Sequence, residues 1–242
     1  MDAALVTVGD ELLAGDTENT NATWLAGRLS DRGVAVKRTL VVPDVRAVIA
    51  DAVGRYSDAF DAVLVTGGLG RTPDDVTVEA VADAFDRGLV VDEVALADVE
   101  RTLEAIAGEY PDLEVDAAAE ARLPRGSRPL INHAGLSPGC VVDNVYVLPG
   151  IPSEMERMFE LVAEEFNGDT ESRYLYTEEP EANLLDRLED VRDRFGVAVG
   201  CYPDREAGHN RLQLKATDPD ALDDAASWLA DTLALVDPDD AA

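Results

Sequence analysis

Lysine is almost missing from this sequence: of its 242 residues only Lys37 and Lys215 are lysines, and the other basic residues are arginines. Against 20 Lys plus Arg stand 50 Asp plus Glu, a formal net charge of −30 at pH 7. A chain this acidic repels nucleic-acid phosphates and anionic membranes, so neither is an expected partner. The acids are spread along the whole chain rather than gathered in one tail. That pattern reads as a solvated acidic skin suited to high salt, where a Debye length of about 3 Å at 1 M screens the self-repulsion.

Cysteine and histidine are scarce too. Cys140 and Cys201 lie far apart without a CxxC, and His133 and His209 stand alone. A disulfide or zinc site is therefore not expected, and the two thiols are read as small buried hydrophobes. No apolar run approaches the ~18 residues of a membrane span. The start, Met1-Asp2-Ala3-Ala4, lacks the basic beginning and apolar core of a signal peptide. A hydrophobic fraction of 46% nevertheless suits a folded chain. The expectation is a soluble, cytoplasmic protein of one large domain, or one ordinary domain and a small one.

What is present is a regular alternation. Ala3 to Val8, Val34 to Val42 and Asp61 to Thr66 are short apolar runs that read as strands. Between them lie helical patterns carrying Ala22, Leu25 and Leu29, capped at Asn19 to Asn21 and stopped at Gly33, then Val45, Ile49, Val53 and Tyr56. A further helix carries Val78, Val81, Ala82 and Phe85, and another spans Glu93 to Gly108. Alternating strands and helices predict a parallel sheet covered on both sides. From Arg128 to Leu148 the pattern shortens to β runs, followed by a helix capped by Ser153 with Met155, Met158, Phe159, Val162 and Phe166 facing inward. Asn167-Gly168-Asp169 is the candidate boundary. Beyond it the order βαββα predicts a small α+β domain, and the tail from Asp237 to Ala242 reads as frayed. The expected domains are 1–168 and 169–242.

The strongest chemical signal is Val65-Thr66-Gly67-Gly68-Leu69-Gly70-Arg71-Thr72-Pro73-Asp74-Asp75, between a buried strand and a helix. Glycines let backbone approach a ligand, and successive N–H groups near a helix start favour a phosphate. Ligands of open α/β sheets bind at the carboxyl ends of the strands. Asp74 and Asp75 either interact with the positive end of the next helix or join Asp44, which follows Val41-Val42-Pro43, in one crevice if the two strands are neighbours. Two carboxylates beside a phosphate-sized loop suit a hard divalent cation such as Mg²⁺. The first strand adds Asp10 and Glu11, then Asn19-Thr20-Asn21. Gly9 to Thr17 is not a P-loop, since Asp16 replaces the needed Lys, and Gly67 to Thr72 is not GxGxxG. No nucleophilic arrangement of Ser or Cys with His has supporting context.

Val8-Gly9-Asp10-Glu11-Leu12-Leu13-Ala14-Gly15, Asn19-Thr20-Asn21, Thr66 to Gly70 with Thr72 and Asp74-Asp75, and Leu148-Pro149-Gly150-Ile151-Pro152-Ser153-Glu154-Met155 together resemble the competence/damage-inducible CinA family. The resemblance runs from about Ala3 to Phe166 and implies a molybdopterin-binding (MoaB/Mog-like) domain, a three-layer α/β fold. The segment from about Thr170 looks like the family's small middle domain. The resemblance implies a Gly-rich loop holding a pterin or nucleotide phosphate, with Asp44 and Asp75 serving metal binding and catalysis. It also implies a further pocket wall from Pro149, Gly150, Pro152, Ser153 and Glu154, and Gly139 at the end of a segment whose Asn and Gly pattern is approximately kept. Arg71 stands where the family commonly has Pro, either as a surface change or as a cation for a second phosphate. Longer members add a C-terminal deamidase domain, before which this chain is expected to end.

The expected function is metal-dependent hydrolysis of a pyrophosphate bond in ADP-ribose or a related nucleotide. The alternatives are a molybdopterin adenylyl-transfer step and a non-catalytic nucleotide- or pterin-binding domain. The small domain has no GxxG loop, no basic stripe and sparse aromatic interleaving, so a nucleic-acid role is set aside. By resemblance a homo-oligomer is expected.

Overall fold

In the computed structural model, which describes residues 1–205 and 207–237, the first apolar run forms β1, Asp2–Val8, buried at every residue after Asp2. It has no polar alternation because it has no free side. Parallel strands β2 (Ala35–Val42) and β3 (Ala62–Thr66) pair with its two edges, and helices cover both faces. Its alternate residues serve two cores. Ala3 and Leu5 meet Leu25 and Leu29, whereas Val6 and Val8 meet Ile49 and Val53.

The connections from β1 to β2 are α1 (Asp10–Ala14) and α2 (Thr20–Asp31), and α3 (Arg46–Ala59) joins β2 to β3. After β3 come α4 (Thr77–Ala84), β4 (Leu89–Val91), α5 (Glu93–Ile106), α6 (Ala117–Glu120) and β5 (Arg122–Pro124). Then follow β6 (Arg128–Leu130), β7 (Gly139–Val142), β8 (Val145–Leu148) and α7 (Pro152–Glu160). The main sheet has the order β2-β1-β3-β8-β7-β6, with β3 and β8 parallel and β7 antiparallel to both its neighbours. The parallel three-layer reading therefore holds for β2, β1, β3 and β8, and the remaining edge is mixed. Two expectations change. β1 lies between β2 and β3, so those strands are not neighbours. Ser153 lies inside α7 rather than capping it, because Pro152 occupies the first helical position and Ile151 is the N-cap, without a side-chain hydrogen bond.

By backbone contacts the chain divides into Met1–Gly168 and Asp169–Ala242. The second unit runs β9 (Glu171–Thr177), α8 (Leu185–Phe195), β10 (Ala198–Asp204), β11 (His209–Ala216) and α9 (Pro219–Thr232), the expected βαββα order. Its antiparallel sheet, β10-β11-β9, lays Leu212 and Leu214 against Leu184, Val191, Leu222 and Leu229 of the helical side. The reading of a frayed tail falls on residues 238–242, outside the described residues. Cys140 is buried and its thiol is pushed up to about 12 by that burial, whereas Cys201 is only partly buried. No helix among the described residues is long and apolar enough to cross a membrane.

Candidate functional site

The carboxyl ends of β1, β2, β3 and β8 converge, and the loops leaving them enclose a cavity of about 230 Å³. From the sequence-predicted set it is lined by Glu11, Asn19, Asn21, Asp44, Thr66, Gly67, Gly68, Asp74, Asp75, Gly150 and Pro152.

The Gly67-Gly68 turn is shaped by what surrounds it. Gly67 has φ 99 and Gly68 has φ 66, in the left-handed region that L side chains rarely adopt. A Cβ on Gly67 would collide with the Val8 carbonyl oxygen, and one on Gly68 with Thr77 Oγ1. The turn is pinned by Gly67 N–H donating to Leu148 O at 3.2 Å and Thr77 N–H donating to Gly68 O at 3.1 Å. Thr77 Oγ1 and Asn21 Oδ1 are buried without hydrogen-bond partners, while Asn21 Nδ2 donates to Gly150 O at 2.7 Å. Buried polar atoms normally find partners; Asn21 faces the cavity, where a ligand donor would meet its Oδ1, whereas Thr77 is wholly buried and does not line it.

Asp44 reaches this end although β1 separates its strand from β3. Its Oδ2 accepts the backbone N–H of Asp10 at 2.8 Å. Burial pushes the Asp44 carboxyl above its ordinary value, the Asp10 N–H pulls it back, and the neighbouring charges of Asp10, Glu11 and Asp74 push it up again. Asp75 is engaged differently: its Oδ2 accepts from Thr72 N at 2.9 Å and from Thr72 Oγ1 at 2.6 Å, closing the loop on itself. Gly70 has no side chain because a Cβ there would stand 2.5 Å from Asp75 Oδ2. Asp74 is thus the loop aspartate whose charge is felt at Asp44.

Among the described residues no three His, Cys, Asp or Glu side chains converge tightly enough to hold a metal ion alone. Crowded carboxylates around a raised Asp44 still fit a divalent cation whose remaining ligands are water and substrate oxygens, the usual manner of Mg²⁺. Asp44, with Asp74 or Asp75, would hold it.

Several predicted residues are placed elsewhere. Arg71 turns to the far side of the loop, where its Nε meets Glu120 Oε1 at 2.7 Å and its guanidinium donates to Glu114 O at 3.3 Å. It is not a cation waiting in the cavity. Leu69 is buried in the core, and Thr72 is spent on Asp75. Asp10 contributes its backbone N–H rather than its carboxylate. Pro149 and Ser153 do not line the cavity, and Glu154 Oε2 accepts from Asn132 Nδ2 at 2.7 Å. Gly139 is a core residue of β7, where a Cβ would strike Val147 O and Met158 Sδ. Asn19 lines the cavity but works as a cap, its Oδ1 accepting from Ala22 N at 3.2 Å and its Nδ2 donating to Thr7 Oγ1 at 2.9 Å.

The lining residues not singled out as ligand contacts are Val8, Gly9, Leu12, Thr17, Glu18 and Thr20. Most belong to α1 and its flanks, a helix of 5 residues that carries too few apolar positions to show a period. The glycines at its two ends, Gly9 and Gly15 with φ 77, were the available signal.

An open α/β sheet with a glycine-walled, anion-sized cavity at its strand ends defines a small-molecule-binding α/β domain. The chain belongs to the family described as probable molybdopterin binding domain, whose model matches residues 4–167. A second model, FAD synthase middle domain, matches residues 169–238. A protein of Archaeoglobus fulgidus is 34% identical over 96% of this chain and 98% of its own length. A CinA-like protein of Citrifermentans bemidjiense is 43% identical over 66% of this chain, which spans 39% of that relative. The crystal structure described as the protein CinA with unknown function from Thermoplasma acidophilum superposes with a TM-score of 0.60 at 35% identity, covering 69% of this chain and 99% of that one. The relation to CinA read from the motifs holds.

Proposed function

We propose that the N-terminal unit hydrolyses the pyrophosphate bond of ADP-ribose or a related nucleotide with the help of a divalent cation. The observation that carries this reading is the placement of Asp44 at the same cavity as the Gly67-Gly68 turn and Asn21, whose Oδ1 is unpartnered. The loop would offer a phosphate its backbone amides beyond Gly67, whose N–H is taken by Leu148 O, and Asn21 Oδ1 would accept from a sugar hydroxyl. Asp44 would hold the cation and orient the attacking water, whose proton passes to solvent. Water adds to one phosphorus, the bridging oxygen leaves with the other phosphate, and ADP-ribose gives AMP and ribose phosphate. A divalent cation, Mg²⁺ in our reading, would supply charge neutralisation on the phosphates.

The test is release of AMP from ADP-ribose by the full chain with Mg²⁺ or Mn²⁺, against a chelated control, in low and high salt. Metal-dependent AMP release that collapses in Asp44→Asn supports the reading. No release under any of these conditions overturns it. The molybdopterin-binding family favours one other reading, adenylyl transfer to a pterin, which requires ATP consumption only when molybdopterin is supplied. Binding that raises the melting temperature without turnover would leave a sensing domain. A homo-oligomer in the cytoplasm remains our expectation, and light scattering decides the first part.

A further inference from the structure

The aromatic and basic residues of the second unit are scattered in sequence, yet folding gathers several of them. Tyr202 pairs with Arg211 across β10 and β11, and Arg211 pairs with Tyr176 across β11 and β9. Directly opposed residues share a sheet face, and Tyr174 joins them two residues from Tyr176. The Arg211 guanidinium lies 5.4 Å from the Tyr202 ring centre and 5.8 Å from that of Tyr174, which fixes its plane while leaving N–H groups to donate. Arg173 and Arg187 of the same unit are each bound to carboxylates. Arg205 and Arg211 have no carboxylate partner among the described residues.

Beside this row is a cavity of about 480 Å³ lined by Tyr176, Tyr202, Asp204, Arg205, His209 and Arg211. His209 is 8% exposed, stands edge-on to Tyr176 at 5.2 Å, and its Nδ1 is buried without a hydrogen-bond partner. The Asp204 carboxylate is turned to the Ala207 N–H at 3.0 Å, holding the hairpin turn.

We propose that this cavity binds a single nucleotide, with its phosphate on Arg205 and Arg211, its base against the Tyr202 ring, and His209 as the polar group of the wall. Two arginines paired with no carboxylate among the described residues, next to tyrosine rings, stand in this wall with one acid, Asp204, on a chain of net charge −30. The surrounding acidic skin opposes a polyanion longer than the cavity, which favours one nucleotide over a strand. The proposal rests on the second unit alone and is independent of the chemistry assigned to the first.

The test is photolabelling of the full chain with an azido derivative of AMP, with the labelled peptides mapped by mass spectrometry. Arg211→Gln and the exposed-turn variant Arg205→Gln are run beside it after circular dichroism confirms their fold. The expected result is label on a tyrosine-bearing peptide of β9 or β10, displaced by AMP and reduced about tenfold by either substitution, the loss of one charge-assisted contact. Label confined to Met1–Gly168, or label in the second unit indifferent to both substitutions, overturns the proposal. Displacement by inorganic phosphate as effective as by AMP removes base recognition and overturns it too. Displacement by oligothymidylate at far lower concentration than AMP makes the occupant a strand, and the single-nucleotide assignment fails.

Discussion

Asp44 Oδ2 accepts the backbone N–H of Asp10 at 2.8 Å, tying the loop after β2 to the first turn of α1 over the end of β1. The bond is favourable, but burial and three neighbouring acids outweigh it, and the carboxyl titrates above the ordinary 3.8. A folded carboxyl that holds its proton more tightly than the unfolded chain adds stability as pH falls through its raised value, with the gain complete below 3.8. Asp44→Asn keeps an acceptor for Asp10 and removes the charge. We expect it to equal or exceed the parent in metal-free stability at pH 7, to flatten the acid-side rise, and to lose roughly 10²-fold or more in hydrolysis. Urea midpoints across pH, paired with AMP release, measure both. A parent more stable than the variant at pH 7 without metal would contradict the burial argument.

Gly67→Ala and Gly68→Ala should differ in severity. Both positions have positive φ, and forcing a side chain into such a conformation costs of order 1–3 kcal/mol. At Gly67 the added Cβ meets the backbone carbonyl of Val8, which is locked inside the central strand. At Gly68 it meets the Thr77 hydroxyl, which a second substitution can remove. Gly68→Ala should therefore be partly rescued by Thr77→Ala, recovering roughly 1 kcal/mol of the loss. Thermal melts of the single and double variants check this, and equal losses with and without Thr77 would show that steric contact is not the cause.

Long elements were legible because their period is long enough to read. The spacing in α7 and after it named Met155, Met158, Phe159, Val162 and Phe166, and all are buried. β4 and β5, with 3 residues each, show no period, and α1 is also too short. The glycine loop was legible as a local pattern. What each acid does was not, because Thr72 bonds Asp75 through its N–H and hydroxyl while that hydroxyl also lowers the Asp74 pKa, a coupling that no spacing shows. Arg71 illustrates the same limit: its partner Glu120 is brought to it by α6, an element the sequence left unread. The row Tyr202, Arg211 and Tyr176 exists only through strand register.

Arg71→Ala should leave substrate affinity nearly unchanged, within about twofold, because its guanidinium is held by Glu120 rather than pointed at the cavity. The Glu120 carboxyl is pushed up by burial and pulled back by Arg71, so removing the arginine should raise it further. Stability at neutral pH should fall by roughly 1–3 kcal/mol, since removing the half-exposed arginine leaves the mostly buried Glu120 carboxylate unpaired. A large rise in KM for ADP-ribose would restore Arg71 as a phosphate ligand and refute its assignment to Glu120.

Stability should increase with salt, and the two opposing effects can be weighed. Ion pairs such as Arg28–Glu160, Arg32–Glu164 and Arg46–Asp83 weaken as salt rises, but exposed pairs are worth only ~0–1 kcal/mol each. Repulsion among the excess acids, a net charge of −30, weakens at the same time. Acids outnumber bases 50 to 20, so most carboxylates have no cationic partner to lose and repulsion dominates. The melting temperature should climb as the Debye length falls from about 10 Å at 0.1 M to about 3 Å at 1 M, with most of the gain before 1 M. Screening depends on ionic strength, whereas surface exclusion depends on the ion, so chloride and sulfate compared at equal ionic strength separate the two. Coinciding curves assign the rise to charge. A melting temperature that fell with chloride would mean that the ion pairs, not the acidic excess, set the balance.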